Sequence, residues 1–197
     1  MSLTSGALAI LHEWVQSESL RKHCYAVADS MKYFAPLSGA AADVDLWEVV
    51  GLLHDIDYEK HPNLERSSTE GHPFVGVAWL RENGWSEEVC RAILSHADYS
   101  GVSPETSLEK TLRAVDELSG FVVAVALVRP TKSIHDVDLA AVKKKMKDKA
   151  FARAVNREEI VHGAEQLGMP LEEVITNVIA ALRADAARLG LAGTSKP

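Results

Sequence analysis

At 197 residues the chain is long enough to bury one sizeable core, and 47% hydrophobic with 25% charged residues is the balance of a globular protein. A formal net charge of -7 excludes a global attraction to nucleic acid or an anionic membrane, so any phosphate must be met by local positive charge. The two cysteines, Cys24 and Cys90, lack CxxC spacing and read as free thiols of a reducing, cytoplasmic compartment, not as a zinc ribbon or a disulfide staple.

Apolar residues recur with a period of 3.6 nearly throughout, which predicts an all-α, single-domain helical bundle. The first helix is predicted over about 4–15, where MSLTSGALAILHEWV lacks the leading Lys or Arg of an export signal. The second, 18–34, lines Leu20, Cys24, Val27, Met31 and Phe34 along one face and places His23 among them. The third, 45–56, is apolar until it closes on LLHDID at 52–57. Helices over 73–83 and 86–97 follow, with Gly84 as a stop and Ser86 as a start. The latter carries Val89, Ala92, Ile93 and then His96 on its apolar stripe.

The sixth helix, 106–128, contains FVVAVALV, the longest apolar run and far short of the roughly 20 residues that cross a bilayer. Its β-branched content also suits a strand, but Leu108, Leu112, Val115, Ser119, Val122 and Ala126 recur at helical spacing, with Asp116 at their edge. Helices over 136–147, 156–168 and 170–190 complete the chain, the eighth opening on Asn156 with Glu159 and the ninth on Pro170. Residues 1–190 are expected to form one domain, and 191–197 a flexible tail.

A lone histidine on an apolar face is ordinarily a hydrogen-bonded core residue, and a lone buried carboxylate ordinarily caps a helix or meets an arginine. His23, His54-Asp55, His96 and Asp116 would together need several independent partners, whereas one metal centre accommodates them all. On a helical wheel Asp55 falls with Glu48 and Gly51 on the narrow outer face, and Gly51 leaves room for a ligand or for another backbone. Imidazole and carboxylate without thiolate suit Mn, Fe, Co, Ni or Zn, with Mg possible, and leave the metal open.

The order His23, adjacent His54-Asp55, then distant Asp116 resembles the signature of the HD superfamily of metal-dependent phosphohydrolases. The resemblance covers residues 18 to about 132 and implies that family's helical fold for this HD core. EGHPFVGVAWL and AILSHADYSG look like the segments of two-metal members that supply two further histidines, here His72 and His96. AVDELSGFVVAVALVRPTK is similar to the segment of HD-GYP relatives that carries the last Asp, then Arg-Pro and Lys, here Asp116, Arg129-Pro130 and Lys132. Ala97 stands where HD-GYP proteins have a second consecutive histidine, and the Gly-Tyr-Pro motif is missing, so cleavage of cyclic-di-GMP is not expected. The chain as a whole looks like small HD hydrolases of undefined substrate.

The resemblance implies one divalent ion held by His23, His54, Asp55 and Asp116, and a second that uses Asp55 as a bridge together with His72 and His96. His54 and Asp55 would then be the catalytic pair, and Arg129 and Lys132 would bind substrate. The lysine run 143–149 reads as a solvated helix face, and Lys60 and His61 as exposed loop residues. The expected activity is hydrolysis of a phosphomonoester or phosphodiester in a nucleotide or other small phosphorylated metabolite, with no membrane or nucleic-acid partner. Some proteins with the same ligands are di-iron oxygenases, and a non-enzymatic metal-containing regulatory module is the third reading.

Overall fold

The computed structural model describes residues 2–193. Among them are nine α-helices and no strand: α1 (Leu3–Trp14), α2 (Glu18–Leu37), α3 (Val44–Leu53), α4 (Phe74–Glu82), α5 (Glu87–His96), α6 (Ser107–Leu127), α7 (Leu139–Met146), α8 (Arg157–Leu167) and α9 (Leu171–Ala184). None of these helices is long and apolar enough to cross a membrane. The segment Phe121–Val128 completes α6, as its stripe predicts, and Thr106 and Glu109 open that helix with a reciprocal capping box.

α2 and α6 form the centre of the bundle. α2 packs most extensively on α3 and also on α6 and α9, and α8 lies along α6. The contacts are close because small residues allow them. A Cβ on Gly51 would stand 2.5 Å from Ala28 Cα, and one on Gly163 would stand 2.8 Å from Ala114 Cα, so backbone meets backbone at α2/α3 and at α6/α8. Of the two uses open to the space at Gly51, the occupant is the α2 backbone. Ser30 and Ser119 meet at 2.9 Å between α2 and α6, and Ser30 Oγ also donates to Ala26 O. The shared hydroxyl contact keeps both polar groups satisfied in the core.

The C-terminal boundaries differ from the periodic pattern. α9 ends at Ala184 and residues 185–190 form turns, because Asp185 and Arg188 turn back to the body of the fold, with Arg188 paired to Asp29 on α2. Residues 191 and 192 of the expected tail are tied to the fold. Leu191 is fully buried, its carbonyl accepts from Ile134 N at 2.9 Å, and Ala192 bridges Ser133; positions 194–197 of that tail lie outside the described residues.

Candidate metal centre

α3 ends at Leu53, and the following residues tighten into i to i−3 hydrogen bonds, Ile56 N to Leu53 O at 3.4 Å and Tyr58 N to Asp55 O at 3.1 Å. That change of pitch is why the helical wheel misplaces Asp55: it is 9% exposed and faces inward. The His54 ring is fully buried, and its Nδ1 donates to Gly51 O at 2.8 Å, a carbonyl freed by the end of the helix. The backbone contact at Gly51 brings this ring to α2, where Nε2 of His54 and Nε2 of His23 are 3.2 Å apart.

α6 adds Asp116, whose Oδ1 lies 3.0 Å from His23 Nε2 and 3.4 Å from His54 Nε2. Asp55 directs Oδ2 to the same place, 3.6 Å from each of these nitrogens. Its other oxygen, Oδ1, lies 3.4 Å from His72 Nε2 and 3.7 Å from His96 Nε2. The six predicted residues therefore converge in two groups, His23, His54 and Asp116 in one and Asp55, His72 and His96 in the other, with the Asp55 carboxylate facing both.

Three of the four rings are oriented through Nδ1. His96 closes α5 and donates to Ile93 O, repeating the arrangement of His54 and Gly51. His72 donates to Asp57 Oδ1 at 2.7 Å, while Asp57 Oδ2 accepts from Gly76 N at 2.6 Å in the first turn of α4. With Nδ1 protonated, the unprotonated Nε2 atoms of His72 and His96 present lone pairs to each other at 3.2 Å. A shared cation resolves that opposition, and an imidazole tied down at its other nitrogen is the usual state of a metal ligand.

The charges point the same way. Burial works against an imidazolium at His54, but the carboxylates of Asp55 and Asp116 outweigh it and raise the group to about 9. At His96 burial, reinforced by His72, lowers the group to about 4. Burial works against anionic Asp55 and Asp116, yet the neighbouring imidazoles hold Asp55 below and Asp116 well below the usual carboxylate range. Negative charge is thus retained on Asp55 and Asp116, at the point where the imidazoles converge.

The cluster opens into a cleft of about 550 Å³. Arg66, Asp98 and Tyr99 form one wall, and Glu117, Asn156 and Glu159 another. Arg66 lies over the Tyr99 ring and pairs with Asp98 Oδ2 at 3.0 Å, and Arg113 pairs with Asp98 Oδ1. Burial, followed by the charge of Asp116, raises Glu117 to about 7.

A protein-family model for the HD domain matches residues 20–120, just over half of the chain and the stretch that carries all six clustered residues. The chain belongs to the HD domain family. Neither a curated protein nor a solved structure matches it. HD domains are typically metal-dependent hydrolases, and the His/Asp groups of this one fit a divalent metal.

Arg129 and Lys132 are not brought to the cluster. They follow the end of α6, outside the family match, and neither lines the cleft. From Asp116 to Leu127 the helix rises about 16 Å, which carries them away from the metal ligands. Among the described residues lining the cleft, the one arginine or lysine is Arg66, on the segment between α3 and α4. Asp57 also escaped the sequence pattern, since its role depends on a ring and an amide brought to it by the fold. Lys60 and His61 are exposed, and the run 143–149 spends its lysines at the surface, with Lys143 paired to Glu172 at 2.6 Å.

Proposed function

We propose that this HD-domain protein is a two-metal phosphohydrolase that cleaves a phosphoester of a small organic molecule. The observation that carries the reading is the Asp55 carboxylate, one oxygen directed at each group of ligands. Divalent ions held there would supply Lewis acidity toward phosphoryl oxygens and a water ionised near neutral pH.

The chain's own contribution is position and charge. His23, His54 and Asp116 hold one side and His72 and His96 the other, while Asp55 fixes the spacing between them. Gly51 O and Ile93 O accept the Nδ1 protons of His54 and His96, which would leave Nε2 of each ring to hold an ion. Arg66, the one guanidinium among the described residues lining the cleft, would meet a phosphate oxygen there. In the reaction a water oxygen bonds to phosphorus, the phosphorus–alkoxy oxygen bond breaks, and the alcohol leaves with the proton that water loses.

The test is elemental analysis of protein purified without chelator, followed by phosphomonoesterase and phosphodiesterase screens with Mn, Co, Ni and Mg. Close to two ions per chain and turnover that disappears in Asp55→Ala are expected. Absence of metal and of turnover under every condition overturns the reading. Two irons with oxygen-dependent turnover would replace it with an oxygenase.

A further inference from the structure

The face of α6 that carries Asp116 continues as Gly120, Val123 with Ala124, and Leu127, at helical spacings of three and four. These residues line a second cavity of about 620 Å³ between α2 and α6, with Leu189 at its side. Val123 and Ala124 are partly exposed there, and Leu127 is 49% exposed. The volume is in the range of small-molecule sites. This groove and the metal cleft share His23 and Gly120 in their linings, so they adjoin across the helix surface at a candidate metal ligand.

Gly120 lies where the two linings meet. A glycine in the middle of a helix costs about 0.5–1 kcal/mol relative to alanine. At Gly51 and Gly163 backbone contacts under 3 Å from a hypothetical Cβ account for the choice. At Gly120 the nearest atom to such a Cβ is His23 Nδ1 at 3.6 Å, an ordinary contact, so helix packing does not require the glycine. A side chain there would stand against the His23 ring, at the boundary of groove and cleft.

We propose that the groove is the leaving-group subsite of the metal centre, and that the substrate is an amphiphilic phosphoester with an unbranched apolar chain. The inference rests on the phosphohydrolase reading and names its substrate class. The phosphate lies at the His/Asp cluster, the chain crosses Gly120, and the apolar part runs beside Val123 and Leu127 for about 10 Å of helix. At the groove's edge Lys22 and Glu18 neutralise each other at 2.7 Å, leaving the apolar lining to dominate. Among the described residues lining the cleft, Arg66 is the one guanidinium and is already paired with Asp98, with Glu117 and Glu159 also in the lining, which disfavours a polyphosphate and suits a single phosphate group. Hydrolysis releases inorganic phosphate and the apolar alcohol.

The test is calorimetric binding of linear alkyl phosphonates, methyl to octyl and below their micellar concentrations, to Mn²⁺-loaded protein. Once the chain reaches the groove, affinity should rise up to about fourfold per added methylene. Gly120→Val and the surface change Leu127→Asp should flatten that series, with circular dichroism verifying that each variant is folded. A flat series in the unsubstituted protein, or an unchanged slope in both folded variants, overturns the subsite. Dimerisation that depends on concentration, together with a flat series, assigns the stripe to a second copy and also overturns it. Turnover of the matching alkyl phosphates separates the two readings: a steep binding series without hydrolysis sinks the phosphohydrolase alone, and hydrolysis with a flat series sinks the subsite alone.

Discussion

Asp57 accepts the Nδ1 proton of His72 at 2.7 Å and thereby decides which nitrogen of that ring faces Asp55. Its second oxygen is held by Gly76 N, so the carboxylate cannot turn away without losing a helix-start contact. Asp57→Asn should weaken binding of one ion by about 10- to 100-fold and leave the other unchanged. Calorimetric titration with Mn²⁺ or Co²⁺ will resolve the two phases, and a uniform loss, or no loss, counts against the assignment.

Asp55 groups with His72 and His96 but also directs Oδ2 at His23 and His54, whereas each histidine belongs to one group. Asp55→Ala should reduce metal content to at most one ion per chain, while His96→Ala removes only the ion at its own group. Elemental analysis beside circular dichroism measures both. Two ions retained in Asp55→Ala would end the bridging role.

Metal is expected to bind the folded chain alone, because the candidate ligands come from segments as distant as α2 and α6. At ion concentrations a hundred times Kd, binding to the native state alone adds about 2.7 kcal/mol. For a chain of this size that corresponds to about 5 to 10 °C in Tm, which should be lost on chelation and recovered on adding metal. Identical melting curves in chelator and in metal would show that the centre contributes nothing to the fold.

Gly51 should not tolerate a side chain. A methyl group would meet Ala28 Cα at 2.5 Å and Val27 C at 2.9 Å, and both are backbone atoms that cannot rotate aside. Gly51→Ala is expected to cost about 1–3 kcal/mol in urea denaturation. It should also weaken metal binding, because separating α2 from α3 separates His23 from His54. A variant with full stability and full metal affinity would show that the helices can part freely.

Far from the cleft, Asp29 is 7% exposed, and its Oδ2 has no hydrogen-bond partner. Burial raises its pKa to about 7 against the opposing pull of Arg188, with Asp185 and Glu48 adding negative charge and Lys32 paired to Glu48. The folded chain therefore holds this proton up to a higher pH than the unfolded chain does. Asp29's contribution to stability is fully present below the usual carboxylate range and declines as pH rises toward about 7. Asp29→Asn removes the titration, so the stability of the variant relative to the unsubstituted protein should rise from about pH 4 to pH 7 and then level off. A pH-independent difference between the two urea midpoints would contradict this.

The helices were legible because each buries a stripe, and a stripe is local information. Phe121–Val128 shows the strength of that signal: β-branched content alone suits a strand, but the spacing from Leu108 to Ala126 continues through it. His23, His96 and Asp116 stood out as polar groups interrupting such stripes. Asp57 did not, since its partners His72 and Gly76 lie across a turn whose path no periodicity encodes. Arg66 was hidden for the same reason, whereas Arg129 and Lys132 were selected by likeness to a segment and then carried away by the length of α6.

The two halves of the centre are built differently. His23 and Asp116 project from the central helices, and His54 follows α3 directly, but His72 sits in the helix-free stretch 54–73. There it is held by His61 O, which accepts from His72 N at 2.7 Å, and by Asn63, which donates to His72 O at 2.9 Å. The ions should consequently differ in lifetime more than in affinity. One can exchange through a local opening of residues 61–72, while the other departs only when α2 and α6 separate, so a pulse of competing metal would replace them on two timescales.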